Sequence, residues 1–149
     1  MESQGATPGV RVAFGTDDST AVSDHIVAWL REHGHEVTVL ADPADWPDVG
    51  RRVGEAVAAG AANLGVVCCW TGTGVSIAAN KVPGIRAALC TDAETARGAR
   101  RWNDANVLAL GLRLTSAALA EEMLSAFLRT GVDDGEGAMI TKVEPGRTA

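Results

Sequence analysis

Tyrosine is missing from this chain, phenylalanine occurs only twice, and four tryptophans supply nearly all of its aromatic character. No unbroken apolar run approaches the ~18 residues that a membrane-spanning helix needs, although 46% of the residues are hydrophobic. A helical membrane anchor is therefore excluded. Residues 1–6 lack the basic start and apolar core of a secretory leader, so a soluble, cytoplasmic protein is expected. Cysteine is scarce as well. Cys68, Cys69 and Cys90 are too few and too clustered for a disulfide framework, and they pair with no histidine at zinc-ligand spacing. Reduced thiols and no metal are expected. Positive charge is also in short supply, since 13 Lys and Arg against 19 Asp and Glu leave a net charge of −6. Without a basic stripe, general nucleic-acid binding is disfavoured, while local arginines still suit an anionic metabolite. No internal repeat or low-complexity tract is present.

What remains is a regular alternation of short apolar runs and amphipathic segments. At 149 residues the chain fits one compact domain, expected over residues 9–130, with a flexible N-terminal arm (1–8) and a C-terminal arm (131–149) rich in Gly, Asp and Glu. Strands are expected at 10–14, 36–40, 64–69, 85–90 and 107–110. Helices are expected at about 20–33, 47–60, 93–102 and 116–129, with a short apolar one opening after residue 72. Gly34 and Gly60 stop the first two, and Pro47 suits a first helical position. Strictly alternating β and α elements predict an α/β fold: a Rossmann-like three-layer α/β/α sandwich around a five-stranded parallel sheet.

The most informative stretch runs from Cys69 through Trp70, Thr71, Gly72, Thr73, Gly74, Val75 and Ser76 to Lys81. It places a thiol where a buried strand stops and a Thr-Gly-Thr-Gly turn where a helix starts. Glycines let backbone approach a ligand closely, and successive N–H groups at a helix start hold negative charge. A thiolate base beside such a turn suits proton abstraction next to a carbonyl, with the amides holding the enediolate. In open parallel sheets ligands sit beyond the carboxyl ends of strands at the switch in strand order. The loop carrying Asp17 and Asp18 after the first strand is expected at the same crevice.

The string from Cys69 to Lys81, followed by residues 84–90 and by Asn103, Asp104, residues 105–111 and Arg113, closely resembles the ribose-5-phosphate isomerase type B and galactose-6-phosphate isomerase family. The resemblance covers about residues 10–128. It implies the sandwich fold, a homodimer or a tetramer built from it whose sites combine residues of two subunits, and aldose–ketose isomerisation without metal or cofactor. A small sugar or sugar phosphate is the implied substrate, in carbohydrate metabolism such as the pentose phosphate pathway. By this resemblance Cys69 is the base, Thr71 supports proton shuttling at the carbonyl side, and the amides of Gly72, Thr73 and Gly74 form the anion hole with Ser76 nearby. Asp17 and Asn103 hold sugar hydroxyls.

Four positions depart from the family pattern. The Asp-His pair after the first strand reads Asp17-Asp18, the Gly after the catalytic Cys is Trp70, and the ring-opening His is Trp102. The C-terminal segment that carries phosphate-clamping arginines reads Gly137 to Lys142, with Lys142 as its one cation. Phosphate ligands are then Lys142 and Arg113, with Arg100 and Arg101 as substitutes, since an arginine fork suits phosphate. Trp70 and Trp102 together point to a reshaped pocket. An indole cannot open a sugar ring, so a substrate reacting as an open chain, such as a four-carbon sugar phosphate, is expected.

Each signal also has a plainer reading. Cys68 should point to the opposite sheet face and pack, Cys90 should be core, and Asp17 could cap the first helix. Asn80 and Lys81 suit a helix end, Arg86 a structural role, and His25, His33 and His35 a solvated helix. Trp102 reads equally as an interface residue or a stacking surface. Two other functions stay open beside the isomerase: a non-catalytic subunit or sugar-binding module, and a flavodoxin-like phosphate binder.

Overall fold

A computed structural model describes residues 9–144. Five parallel strands form one sheet, ordered across it as residues 36–41, 11–16, 64–69, 107–111 and 87–89. In chain order the elements are β1 (Arg11–Thr16), α1 (Ala21–Glu32), β2 (Glu36–Ala41), α2 (Trp46–Ala58), β3 (Leu64–Cys69), α3 (Thr73–Asn80), β4 (Ala87–Leu89), α4 (Ala93–Asn103), β5 (Val107–Gly111), α5 (Ala117–Arg129) and α6 (Gly137–Thr141).

Strand alternation divides the core into two layers. Val12, Phe14, Val66, Cys68, Leu108 and Leu110 face α1, α4 and α5, where they meet Ile26, Leu30, Ala99, Met123 and Phe127. Ala13, Val67, Cys69 and Ala109 face α2 and α3, against Val49, Val53, Val57, Val75 and Ala79. Both sheet faces are thus covered, the state in which parallel sheets are stable. Adjacent Cys68 and Cys69 fall on opposite faces because successive strand side chains alternate.

Helix starts follow their caps. Thr20 and Ser23 form a reciprocal capping box at α1, Asp92 caps α4 through Thr95 N–H, and Ser116 caps α5 through Leu119 N–H. Asp17 caps nothing, because Thr20 already fills that position.

Three expectations are corrected. Strand four is shorter, since Arg86 N–H is drawn to the Asn106 side chain and not into the ladder. His35 is buried rather than solvated, and its Nδ1 accepts the Val10 N–H at 3.2 Å. The stretch from residue 131 also folds further than a loose arm. It carries α6 and is anchored by Asp133 N–H on Arg101 O at 2.9 Å and by Glu144 on Arg86 at 2.8 Å. The expected N-terminal arm, 1–8, lies outside the described residues, as do 145–149.

Candidate active site

Cys69 ends β3 at the sheet's carboxyl edge, nearly buried, and the chain then reverses through Trp70 and Thr71 into α3. Gly72 makes the reversal possible. Its φ of 80° is left-handed, and a Cβ there would lie 2.8 Å from Leu110 C and 2.9 Å from Gly111 N. The turn is also wedged from β5, because a Cβ on Gly111 would meet Thr71 O at 2.7 Å. Leu112 and Arg113 N–H groups then donate to the carbonyls of Cys69 and Trp70 at 2.8 and 2.9 Å, so Arg113 leaves β5 beside Trp70.

Within this frame Gly72 N–H donates to Cys69 Sγ at 3.2 Å. The contact fixes the sulfur against the start of α3, where the amides of Thr73 and Gly74 have no earlier turn of helix to bond. Thr71 and Thr73 hydroxyls share a hydrogen bond at 2.8 Å, Ser76 N–H bonds Gly72 O at 3.2 Å, and both threonines are exposed. A thiol, paired hydroxyls and a helix start are therefore contiguous.

From the neighbouring strand, Asp17 N–H donates to Cys68 O at 3.1 Å, which draws the β1 loop to the same edge. Partial burial, and then the adjacent Asp18, push the Asp17 carboxyl above its usual range. Asp18 is exposed, and its backbone carbonyl accepts the Thr16 hydroxyl at 2.7 Å. Strand order reverses between β1 and β3, so Asp17, Asp18, Cys69, Trp70, Thr71 and Arg113 gather at the switch point.

The other expected site residues do not join them within one chain. Helix α4 begins beyond the carboxyl end of β4 and runs back, delivering Trp102 and Asn103 near Asn106, whose N–H bonds Arg86 O at 2.9 Å ahead of β4. That is the amino end of the sheet, roughly 15 Å from the Cys69 turn by strand length. Lys142 lies at the same end, next to the Glu144–Arg86 pair. Arg100 is committed elsewhere: it donates to Thr130 O at 3.0 Å and to Ala105 O, and its guanidinium lies 5.3 Å from the Phe127 ring centroid. These contacts tie α4 to the end of α5 and to the segment just before β5. Arg101 pairs with Asp133 at 3.0 Å, with its guanidinium 5.6 Å from the Trp102 ring centroid.

A groove of about 910 Å³ runs along β4, from residues 84–86 at the amino end to Leu89, which packs against the Cys69 turn at Gly72. Trp102, Asn103, Leu89, Met139 and Val143 are among the residues lining it, and no residue of the Cys69 turn does. Trp102 and Asn103 thus border this groove, while Asp17, Asp18, Arg113 and residues 70–76 surround the thiol at the carboxyl edge.

One further residue stands at the start of α3, where the periodicity of its own segment does not single it out. Trp46, at the start of α2, lies against Gly74, where a Cβ would be 2.9 Å from its Cδ2 and Cε3 atoms. The four-residue steps Trp46-Gly50-Gly54 and Gly74-Ala78-Val82 were the signal that could have revealed it.

Among the described residues no cluster of three or more His, Cys, Asp or Glu side chains is placed to hold a metal ion. No helix among them is long and apolar enough to cross a membrane.

Comparison with known proteins fits this geometry. The Ribose/Galactose Isomerase family model matches residues 12–144. Ribose-5-phosphate isomerase B of Escherichia coli strain K12 is 40% identical over 130 residues, which cover 84% of this chain and 87% of that protein. D-erythrulose-4-phosphate isomerase of Pectobacterium atrosepticum is 37% identical over 133 residues, covering 85% and 88%. The structure of Clostridium thermocellum ribose-5-phosphate isomerase B superposes with a TM-score of 0.85 at 39% identity, covering 89% of this chain and 94% of that one. On the match across the whole sheet and the Cys69 turn, the chain belongs to the ribose/galactose isomerase family.

Proposed function

We propose that this protein is an aldose–ketose isomerase of small sugar phosphates, with Cys69 as its base. The observation that carries the reading is the Gly72 N–H on Cys69 Sγ, which seats the thiol at the mouth of a helix start. In the forward direction the thiolate takes the proton from C2 of the open-chain aldose, and the C–H electrons form the C1–C2 double bond. The carbonyl electrons move to O1, where the amides of residues 72–74 stabilise the developing charge. Return of the proton to C1, with transfer of the O2 proton assisted by Thr71, gives the ketose. Asp17 holds a sugar hydroxyl, and Asp18 borders it. Arg113 binds phosphate together with Lys142 of a second copy, with that copy's Arg101 as a further cation. The reaction uses no metal or cofactor.

Trp102 and Asn103 complete the site from a second copy, since one chain holds them at the far end of its sheet from Cys69. The functional unit is then a homodimer. The cytoplasm suits it, because all three cysteines are free thiols.

A four-carbon sugar phosphate is the favoured substrate. It has no free hydroxyl to close a five-membered ring, so it needs no ring-opening histidine, and Trp70 with Trp102 narrows the pocket toward it. The likeness to an enzyme named for D-erythrulose 4-phosphate supports this choice. Turnover of erythrose 4-phosphate, ribose 5-phosphate and allose 6-phosphate, with their unphosphorylated forms, tests it. Ribose 5-phosphate handled as well as the tetrose would replace the four-carbon reading with ribose-5-phosphate isomerisation. Solvent-proton exchange into none of the sugars would leave a sugar-binding module.

A further inference from the structure

We propose that Trp46 is a specificity-determining residue, an indole wall on the α2 side of the sugar pocket that limits substrate chain length. The inference rests on the isomerase reading above and extends it to an element that supplies none of the reacting groups. Trp46, Gly50 and Gly54 follow at four-residue steps and so share one face of α2. Along this seam a Cβ on Gly50 would lie 2.5 Å from Ala78 Cβ, and one on Gly54 would lie 3.0 Å from Val82 Cγ2. At these two levels bare α2 backbone meets side chains from α3 and the residues just after it.

At the third level the roles reverse. Here α2 presents its largest side chain and α3 the glycine, with an added Cβ on Gly74 only 2.9 Å from the indole. Close helix packing does not require a tryptophan at this level, because the same seam closes with glycine one and two turns further on. The indole also stays 44% exposed, so much of its surface is not used in the core. Its position is defined by two ties at the carboxyl edge. Pro47 follows it in the first turn of α2, and Ala44 N–H bonds Thr16 O at the end of β1 at 3.3 Å. Trp46 therefore stands over the first turn of α3, the turn whose amides face Cys69. Trp70, 59% exposed, stands on the β3 side of that turn. A sugar seated on the amides meets the rigid Trp46 plane on the α2 side, and the face of an aromatic ring excludes bulk without hydrogen-bonding a hydroxyl.

The test compares kcat/KM of the full-length protein and its Trp46→Ala, Trp46→Leu and Trp46→Phe variants on erythrose 4-phosphate and ribose 5-phosphate. In Trp46→Ala the five-carbon to four-carbon ratio should rise about tenfold, mainly through KM for the longer sugar, and Trp46→Phe should stay within about twofold of the parent. If Trp46→Ala does not fold, Trp46→Leu carries the same comparison with a smaller rise. A ratio that stays within about twofold in every folded variant, whatever happens to stability, would overturn the inference and leave the isomerase reading intact. Should the parent turn over neither sugar, equilibrium titration with four- and five-carbon phosphorylated hydroxamic acids, which imitate the enediolate, reads the same ratio in Kd. Binding of neither compound to the parent would overturn this inference and the isomerase reading together.

Discussion

Neighbouring cysteines with opposite surroundings give the sharpest residue-scale contrast. Burial, and then the adjacent Cys69, push the Cys68 thiol far above its ordinary range, and burial also raises Cys90, to about 11. Both stay protonated at neutral pH and pack in the layer formed with α1, α4 and α5. Cys69→Ala should reduce turnover at least about a thousandfold while keeping the fold and most ligand affinity, at a stability cost of about 1–3 kcal/mol for the Gly72 N–H it leaves unpaired. Cys68→Ala should keep most activity and lose about 1 kcal/mol of stability. Near-normal turnover by Cys69→Ala would rule out the thiol as base. Gly72 makes a second contrast, between backbone and chemistry. A left-handed φ costs a non-glycine residue about 1–2 kcal/mol, and an alanine methyl there would also press on Leu110 C and Gly111 N. Gly72→Ala should lower the stability read from urea unfolding by more than about 2 kcal/mol. It should also impair activity, because the amide on Cys69 Sγ must shift.

At the scale of elements, the charges that anchor chain segments respond to pH and to substitution. His35 opens the approach to β2 and accepts the Val10 N–H, and burial, then nearby His33, hold its pKa below 6.5. The unfolded chain therefore takes up that proton first as the pH falls. The stability supplied by neutral His35 is complete above about pH 6.5 and is lost progressively below it. Melting temperatures at pH 7.5 and 5.5 should fall with acid, and the fall should shrink in His35→Gln. An equal fall in both proteins would assign the acid sensitivity elsewhere. Elements were also the scale at which the sequence was most readable. β3 was recognisable because Leu64, Val66, Val67 and Cys68 form an uninterrupted apolar run, and α5 because Leu119, Met123 and Phe127 keep helical spacing. The Cys69 turn was readable because a left-handed turn needs glycine locally. Other features depended on partners distant in sequence. Glu144 reaches Arg86 across 58 positions to anchor α6, and no periodicity in a five-residue helix announces that contact. The sequence makes His35 look solvated for the same reason: its acceptor role depends on Val10, 25 residues earlier. Trp46 lies on Gly74 through a match of two helix faces, which neither segment reveals alone.

For the whole molecule, the separation of the site residues dictates what must be tested. Cys69 lies at the carboxyl edge of the sheet, while Trp102 and Asn103 lie at the amino edge beside a groove of about 910 Å³. No side-chain rotation spans a strand length, so a site that uses both halves takes them from different copies. Exposed Trp102, Met139 and Val143 around the groove form an apolar surface of the kind a second copy would cover. A two-fold dimer of this kind contains two sites, each drawing its thiol from one chain and its Asn103 from the other. Homodimers of Cys69→Ala and of Asn103→Ala should each be nearly inactive, since every site in them lacks one group. After subunit exchange between equal amounts, half of the dimers are mixed, and each mixed dimer has one site with both groups intact. Activity should therefore recover to roughly a quarter of the parent value. Sedimentation of the mixture should show dimers throughout. If exchange is verified by mass and no activity returns, then Cys69 and Asn103 do not act in one shared site. If the Asn103→Ala homodimer is fully active alone, Asn103 plays no part in the chemistry.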